Sequence, residues 1–404
     1  MISLSLALRN TWRQTARTAI TVATIATGVA ALTISGGFIV DTFTQLAEAV
    51  IHSQLGHIQV AKDGYFSRGA RPASGFLIPQ PEGVMKQAVA QPGVKDVLQR
   101  ISFSGLLSNG RSDMAIFGEG VEPDKESELG SYMRIVEGRH LTDADHYGVL
   151  LGYGIARSLH LKPGDSVTVL VTTPDGALNS LDFEVTGVFQ TISKDYDARA
   201  LRVSLRAAQE LLGTNGVNVL IVSLHDTSQT DDVALHLRGG LSEHYELRTW
   251  YQLSDFYSKT VDLYEAQFGA LRIIVLLMVV LGVANSINMS IFERQAEFAT
   301  MRALGSYTAD VFRLILTEAF LLGILGAIVG ISAGVGIALL LSSIGIPMPP
   351  PPNADVGYTA RIELLPSTVL IASLIGLAST LLAALLPAFR VSRIPLADAL
   401  RRGV

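Results

Sequence analysis

The side chains able to do chemistry are few, and their spacing does not suit it. All eight histidines fall between residues 52 and 244. None stands in HExxH or at i, i+4, the spacing that sets two imidazoles on one helix face for zinc. His52 and His57 are five apart and read, with the rest, as solvated surface histidines. No GxSxG turn presents a serine nucleophile. A phosphate-cradling GxxxxGK[ST] loop needs a lysine followed by Ser or Thr. Of seven lysines only Lys259 qualifies, and Ser258 stands where the glycine belongs, so the chain is not its own P-loop ATPase. With no cysteine, disulfides, thiolate metal sites and cysteine nucleophiles are excluded together. The sequence predicts neither a catalytic nor a metal site.

The elements around these residues are set by the solvent they face. The 404 residues are 49% hydrophobic and 17% charged, with a mean hydropathy of +0.38; average globular chains carry about 25% charge. Four stretches of twenty or more residues hold no charged side chain: Thr18–Val40, Ile273–Phe292, Ala319–Pro352 and Leu364–Phe389. A hydrocarbon core about 30 Å thick needs roughly 20 helical residues, so all four qualify as spans. The third runs into a proline tract and must stop near Ser342. The first follows Arg9, Arg13 and Arg17, but its apolar core is too long for a signal h-region and no small-residue cleavage site closes it; it reads as a retained anchor.

Arginine placement orients the spans. Arg9, Arg13, Arg17, Arg294, Arg302, Arg313, Arg390, Arg393, Arg401 and Arg402 fall on one side, and only Arg361 lies in the short loop on the other. Positive short loops mark the cytoplasm, so both termini are expected inside and residues 44–268 outside. Residues 41–270 hold 19 Lys+Arg against 29 Asp+Glu, a net of −10. An acidic outer domain excludes nucleic acid as a partner. The expected class is therefore an α-helical membrane protein with four transmembrane helices and a mixed α/β extracytoplasmic domain between helices 1 and 2. Its divisions are 1–43, 44–268 and 269–404, the last with a cytoplasmic loop at 293–312.

Within this frame, residues 2–18 read as an amphipathic surface helix, with Leu4, Leu8 and Trp12 at helical spacing. Phe43, Leu46 and Val50 continue the first span as a stalk, and Trp250, Leu253, Tyr257, Val261 and Tyr264 form a matching one. Strands are expected at His57–Ala61, Ser166–Thr172, Asp182–Phe189 and Val217–Leu224, with Pro174-Asp175-Gly176 as a turn. Helices fit Pro81–Ala90, Tyr153–Leu159 and Leu205–Leu212. Pro349–Pro352 stiffen the short outer loop. Gly326, Gly330 and Gly334 make a double GxxxG ladder for close helix packing. Asn285 and Asn288 should face other helices as interhelical glue, and Arg313 is expected to pair with Glu318 near the interface.

Several segments together resemble the FtsX-like family of ABC transporter permeases, which includes the lipoprotein-releasing (LolC/LolE) and MacB types. The opening Leu6-Ala7-Leu8-Arg9-Asn10, with Arg17-Thr18, is similar to the family's amino terminus. The run from Glu293 and Arg294 through Glu297, Phe298, Met301, Arg302, Ala303, Leu304 and Gly305 resembles its "ER…E…R-A-[LI]-G" segment. Pro387-Ala388 with Arg393–Arg401 resembles its closing pattern. Gly148–Gly152, Ala156, Leu159, Leu161 and Gly164-Asp165 resemble its "G…A…L-x-L-x-x-G-D" element. The resemblance spans essentially the whole chain.

It implies a non-catalytic subunit of the inner membrane that dimerises with a copy or a paralogue above a separate cytoplasmic P-loop ATPase dimer, which binds the ATP and Mg. The loop 293–312 would be a coupling helix, for which Phe298, Met301 and Leu304 offer an apolar edge with Glu297 and Arg302 beside it. Motion would pass up the stalks to the outer domain, by mechanotransmission. The substrate expected is lipidated or amphiphilic, such as a lipoprotein drawn from membrane lipid. The alternative is a signalling subunit regulating a periplasmic partner such as a cell-wall hydrolase. MacB-type proteins carry their ATPase on the same chain and this one does not. The turn at Thr172–Ser180 is shorter than the protruding loop of the lipoprotein-releasing member that recruits a periplasmic carrier, so no carrier docking is assigned.

Overall fold

The computed structural model describes residues 15–67, 73–130, 132–350 and 357–392. Most of the expected amphipathic helix 2–18, the last two prolines of the tract and the closing pattern from Arg393 lie outside the described residues. The chain divides into two compact units. One takes the chain up to Phe43, then Asp262–Met348 and the part from Thr359; the other takes Thr44–Val261 with Pro349–Tyr358.

Among the described residues four helices are long and apolar enough to cross a membrane: Thr15–Val50, Asp255–Glu293, Thr308–Ile344 and Pro366–Ser392. The first has 36 residues, or about 54 Å at 1.5 Å each, well beyond a hydrocarbon core of about 30 Å. The third runs to Ile344, ended by Gly345 at φ 75°.

The glycine ladder finds its partner inside this chain, in the first helix. A Cβ on Gly326 would lie 2.5 Å from Ile25 Cγ2, and one on Gly330 would lie 2.7 Å from the Ala26 carbonyl oxygen and 2.8 Å from Val29 Cβ. On Gly334 it would come within 3.1 Å of Ala30 Cα. Backbone approach of this kind replaces the hydrophobic driving force that lipid does not supply. Gly330→Leu should therefore lower thermal stability of the detergent-solubilised chain by about 1–3 kcal/mol. Gly336→Leu, where a Cβ meets nothing within 4 Å, should leave the melting curve in place.

The second unit is built on a ten-stranded sheet. Its strands are β1 (Ile58–Lys62), β2 (Val94–Ser108), β3 (Asp113–Val121), β4 (Arg134–Gly138), β5 (Gly148–Gly152), β6 (Ser166–Thr172), β7 (Leu178–Gln190), β8 (Ala200–Ser204), β9 (Val219–Leu224) and β10 (Tyr245–Thr249). The order is β10-β1-β9-β2-β3-β8-β5-β7-β4, with β6 paired to β2 and β7. Only the β3–β8 and β5–β7 pairings are parallel among these. The 15-residue β2 serves both halves: Val94–Arg100 pair with β9 and Arg100–Ser108 with β3. Each half buries its own core. Phe103, Leu151, Val169 and Phe183 pack with the helices Tyr153–Leu159 and Leu205–Leu212. Ile58, Val97, Leu220 and Val222 pack with Glu82–Val89 and Thr230–Gly240. Local chemistry agrees with the pattern. Ser204 caps Leu205–Leu212 by accepting from Ala207 N–H, and Gly213 at φ 64° ends it.

The expected returning stalk is not one helix. Trp250–Leu253 is a separate turn, and the chain breaks at Ser254 (φ −100°, ψ 87°) before the long helix begins at Asp255. Spacing could not reveal this, because a one-residue break leaves an i, i+3/i+4 pattern almost in phase.

Candidate functional site

The Glu293–Gly305 segment forms a sharp corner followed by a short helix, Gln295–Ala303. Arg294 sits at its N-cap with its side chain only 8% exposed. Its guanidinium pairs with Glu318 of the third long helix at 2.6 Å and with Glu297 at 3.0 Å, and lies 5.0 Å from the Phe298 ring centre. Burial opposes the positive charge, but Glu318 and Glu297 outweigh it and hold the guanidinium's pKa above its ordinary value. Glu293 pairs with Arg17 of the first helix. The corner thus ties the start of the first long helix and the end of the second to Glu318, within the third. A cavity of about 50 Å³ lies beside it, lined by Thr18, Thr21, Ser286, Ser290 and Arg294 among others.

Individual expectations fare unevenly here. Glu318 was expected to pair with Arg313; the structure pairs it with Arg294, whose side chain the corner carries inward onto the third helix. Phe298 is buried (3% exposed) and packs with Val311 and Ile315 in the membrane unit's core, with Met301 half-buried beside it. Of the apolar edge, Leu304 stands outside: it is 84% exposed, next to Gly305 at φ 99° and exposed Tyr307. Ala303 is also exposed and Arg302 half-buried. Asn285 lies on an exposed face of its helix and Asn288 is half-buried; the polar contact from this segment is Ser286 with Thr21.

A second constellation, which the sequence reading missed, surrounds the end of the first long helix in the sheet unit. After Val50 the helix closes as a π turn, Ile51–Leu55. Arg100 of β2 and Arg202 of β8 are 3% and 0% exposed. Arg202 pairs with Glu119 at 3.0 Å and Glu126 at 3.2 Å, and Arg100 pairs with Glu126 and, at 3.4 Å, with Glu119. Tyr196 donates to Glu119 at 2.7 Å. Burial would raise the Glu119 carboxyl, yet Arg100 and Arg202 hold it below the usual range. The only sequence signal was the charged residue at an inward position of otherwise apolar β8, Ala-Leu-Arg-Val-Ser, where every residue is buried.

Nor is His57 a surface histidine; it is 1% exposed. Leu224 N–H donates to its Nδ1 at 3.2 Å, and its Nε2 lies 3.1 Å from Thr227 Oγ1, which donates to Glu48 at 2.6 Å. A backbone donor at Nδ1 fixes the neutral tautomer with the proton on Nε2. Burial, with His52 nearby, lowers its pKa from 6.5 to about 4, against the pull of Glu48 and Asp226. The unfolded chain therefore binds the proton first, and stability falls as pH drops from about 6.5 to 4. His57→Gln should flatten that part of a stability-versus-pH curve followed by urea unfolding. Among the described residues no cluster of His, Asp and Glu is arranged to hold a metal.

Residues 18–239 match the MacB-like periplasmic core domain and residues 269–396 the FtsX-like permease C-terminal segment. The lipoprotein-releasing system transmembrane protein LolC of Xylella fastidiosa is 27% identical over 332 residues, covering 78% of this chain and 79% of that one. LolE of Haemophilus influenzae is 22% identical over 334 residues, covering 79% and 80%. The macrolide export ATP-binding/permease protein MacB of Nitrobacter winogradskyi is 28% identical over 276 residues, covering 63% of this chain and 38% of that one. A match over more than half the chain, followed in order by the permease segment across the later helices, means that this protein belongs to the family of ABC transporter permeases with a MacB-like core domain and an FtsX-like carboxy-terminal part.

Proposed function

We propose that this chain is the membrane subunit of an ABC transporter that works by mechanotransmission, driven by a separate cytoplasmic P-loop ATPase dimer. The observation that carries the reading is the corner at Arg294. It presents exposed Leu304 and Tyr307 just beyond a short helix that buries Phe298 and is tied through Arg294 to the third long helix. A push on that helix would be delivered to the bundle without being lost in a loop. This chain needs no cofactor of its own; ATP and Mg belong to the partner, and the MacB relative, whose name joins ATP binding to permease, supports such a partner. The permease would pair with a second copy or a paralogue, a role open to the exposed face around Asn285. It would sit in the inner membrane with both termini cytoplasmic and residues 44–268 outside. Likeness to the lipoprotein-releasing proteins supports a lipidated or amphiphilic cargo, such as a lipoprotein taken from membrane lipid.

The test is co-purification of the tagged chain in mild detergent from its native cell. A P-loop ATPase should be recovered with it, and Leu304→Asp should reduce that recovery at least about tenfold, because burying an unpaired carboxylate at an interface costs several kcal/mol. An ATPase retained undiminished by Leu304→Asp would place the docking surface elsewhere. Depletion of the chain should leave lipoproteins in the inner membrane, and their normal sorting would remove the cargo assignment.

A further inference from the structure

The last turn of the first long helix is finished by side chains of the sheet. Gly56 N–H reaches back to the Ile51 carbonyl at 2.9 Å, and Gly56 at φ 65° then turns the chain into β1. Any Cβ there would lie 2.2 Å from Ile221 Cγ2. The carbonyls that follow Ile51 in this turn would ordinarily face water or a cap. Instead Arg202 Nη2 donates to Ser53 O at 3.0 Å, Arg100 Nη1 to Gln54 O at 2.5 Å, and Gln59 Nε2 to Leu55 O at 2.9 Å. Two guanidiniums therefore meet the negative end of the helix dipole. Each is held from behind by Glu119 and Glu126, and the two arginines stand on different strands, β2 and β8.

Fold stability alone does not call for such a cluster, since buried ion networks can often be exchanged for apolar side chains of similar volume without loss. What apolar side chains cannot do is grip carbonyl oxygens. A helix end that only packs on a sheet resists being pushed. One whose terminal carbonyls are forked by fixed guanidiniums also resists being pulled or turned.

We propose that Arg100 and Arg202 are positioning residues forming the joint through which axial movement of the first long helix is delivered to the sheet. This deepens the mechanotransmission reading and rests on it for its purpose, though the joint itself can be tested without any ATPase.

The chain has no cysteine, so Thr44→Cys and Ser112→Cys, both at exposed positions, give unique handles for single-molecule pulling on the full chain in nanodiscs. The combined variant Arg100→Met, Arg202→Met, Glu119→Gln and Glu126→Met removes the grip while leaving no buried charge stranded in the cluster. The expected result is an unchanged unfolding force for the sheet, preceded by a separate detachment of the helix end. At constant force that detachment should be roughly tenfold faster or more, for two lost charge-assisted hydrogen bonds. Detachment that still occurs only together with sheet unfolding, as in the parent chain, would overturn the proposal. Should the combined variant not fold, Arg202→Lys keeps the charge and loses the fork, and early detachment against concerted unfolding decides in the same way. A chain that keeps the parent joint but recovers no ATPase would sink the transporter reading and leave the joint standing.

Discussion

Replacing Arg294 with Met should free the helix Gln295–Ala303 from the third long helix and cost about 3–5 kcal/mol, as breaking one side of a buried pair does. Its side chain is 8% exposed and that of Glu318 is 15% exposed, so the carboxylate would lose a cation at 2.6 Å with little solvent to take its place. Hydrogen exchange across residues 295–303 should rise sharply, and the detergent-solubilised chain should melt earlier. Arg294→Met with Glu318→Met should recover most of the stability while residues 295–303 still exchange fast, since the charged tie between corner and helix is still missing. Glu297 offers the contrast: its side chain is 52% exposed, and exposed pairs contribute roughly 0–1 kcal/mol. Glu297→Ala should leave the melt nearly unchanged. If Arg294→Met melted like Glu297→Ala, the corner would be an ordinary solvated turn.

The second large effect belongs to the sheet unit. Arg202→Met leaves Glu119 and Glu126 to share Arg100 alone in a site where both residues are 5% exposed, for another loss of about 3–5 kcal/mol. In a unit of this size each kcal/mol moves the midpoint by about 2–4 °C, so a drop of about 6–20 °C is expected in the transition that reports on the sheet, followed by circular dichroism. A shift of a degree or two would mean that water already reaches the two glutamates.

The long elements were legible because the solvent imposed them. Twenty uncharged residues in a row admit few readings, and all four long helices lie where the charge gaps fall. Ser166–Thr172, Tyr153–Leu159 and Leu205–Leu212 were also readable, the first from its alternation. The strand β2 was not: Val94–Ser108 mixes apolar runs with Lys95, Asp96 and Arg100, since its two halves enter different cores and pair with different partners. The corner at Glu293–Gly305 was found by resemblance, and its inner arrangement was not. Nothing in the spacing says that Phe298 turns into the core while Leu304 turns out. The charge cluster escaped for a related reason. Arg100, Glu119, Glu126 and Arg202 are scattered over a hundred residues, and each alone looks like a surface charge. Only the sheet order that sets β2, β3 and β8 side by side brings three of them together.

The capped end of the first long helix also bears on how the length of this chain could vary. Arg100 and Arg202 donate to the carbonyls of Gln54 and Ser53, respectively, at one rotational phase only. Each residue inserted below them turns the helix end by about 100°. One added residue would carry both carbonyls away from the guanidiniums, whereas seven return them to within about 20°. Homologous chains that keep both arginines should therefore differ in the length of this helix by about two whole turns or not at all, and lengths out of that step should come with changes at both arginines.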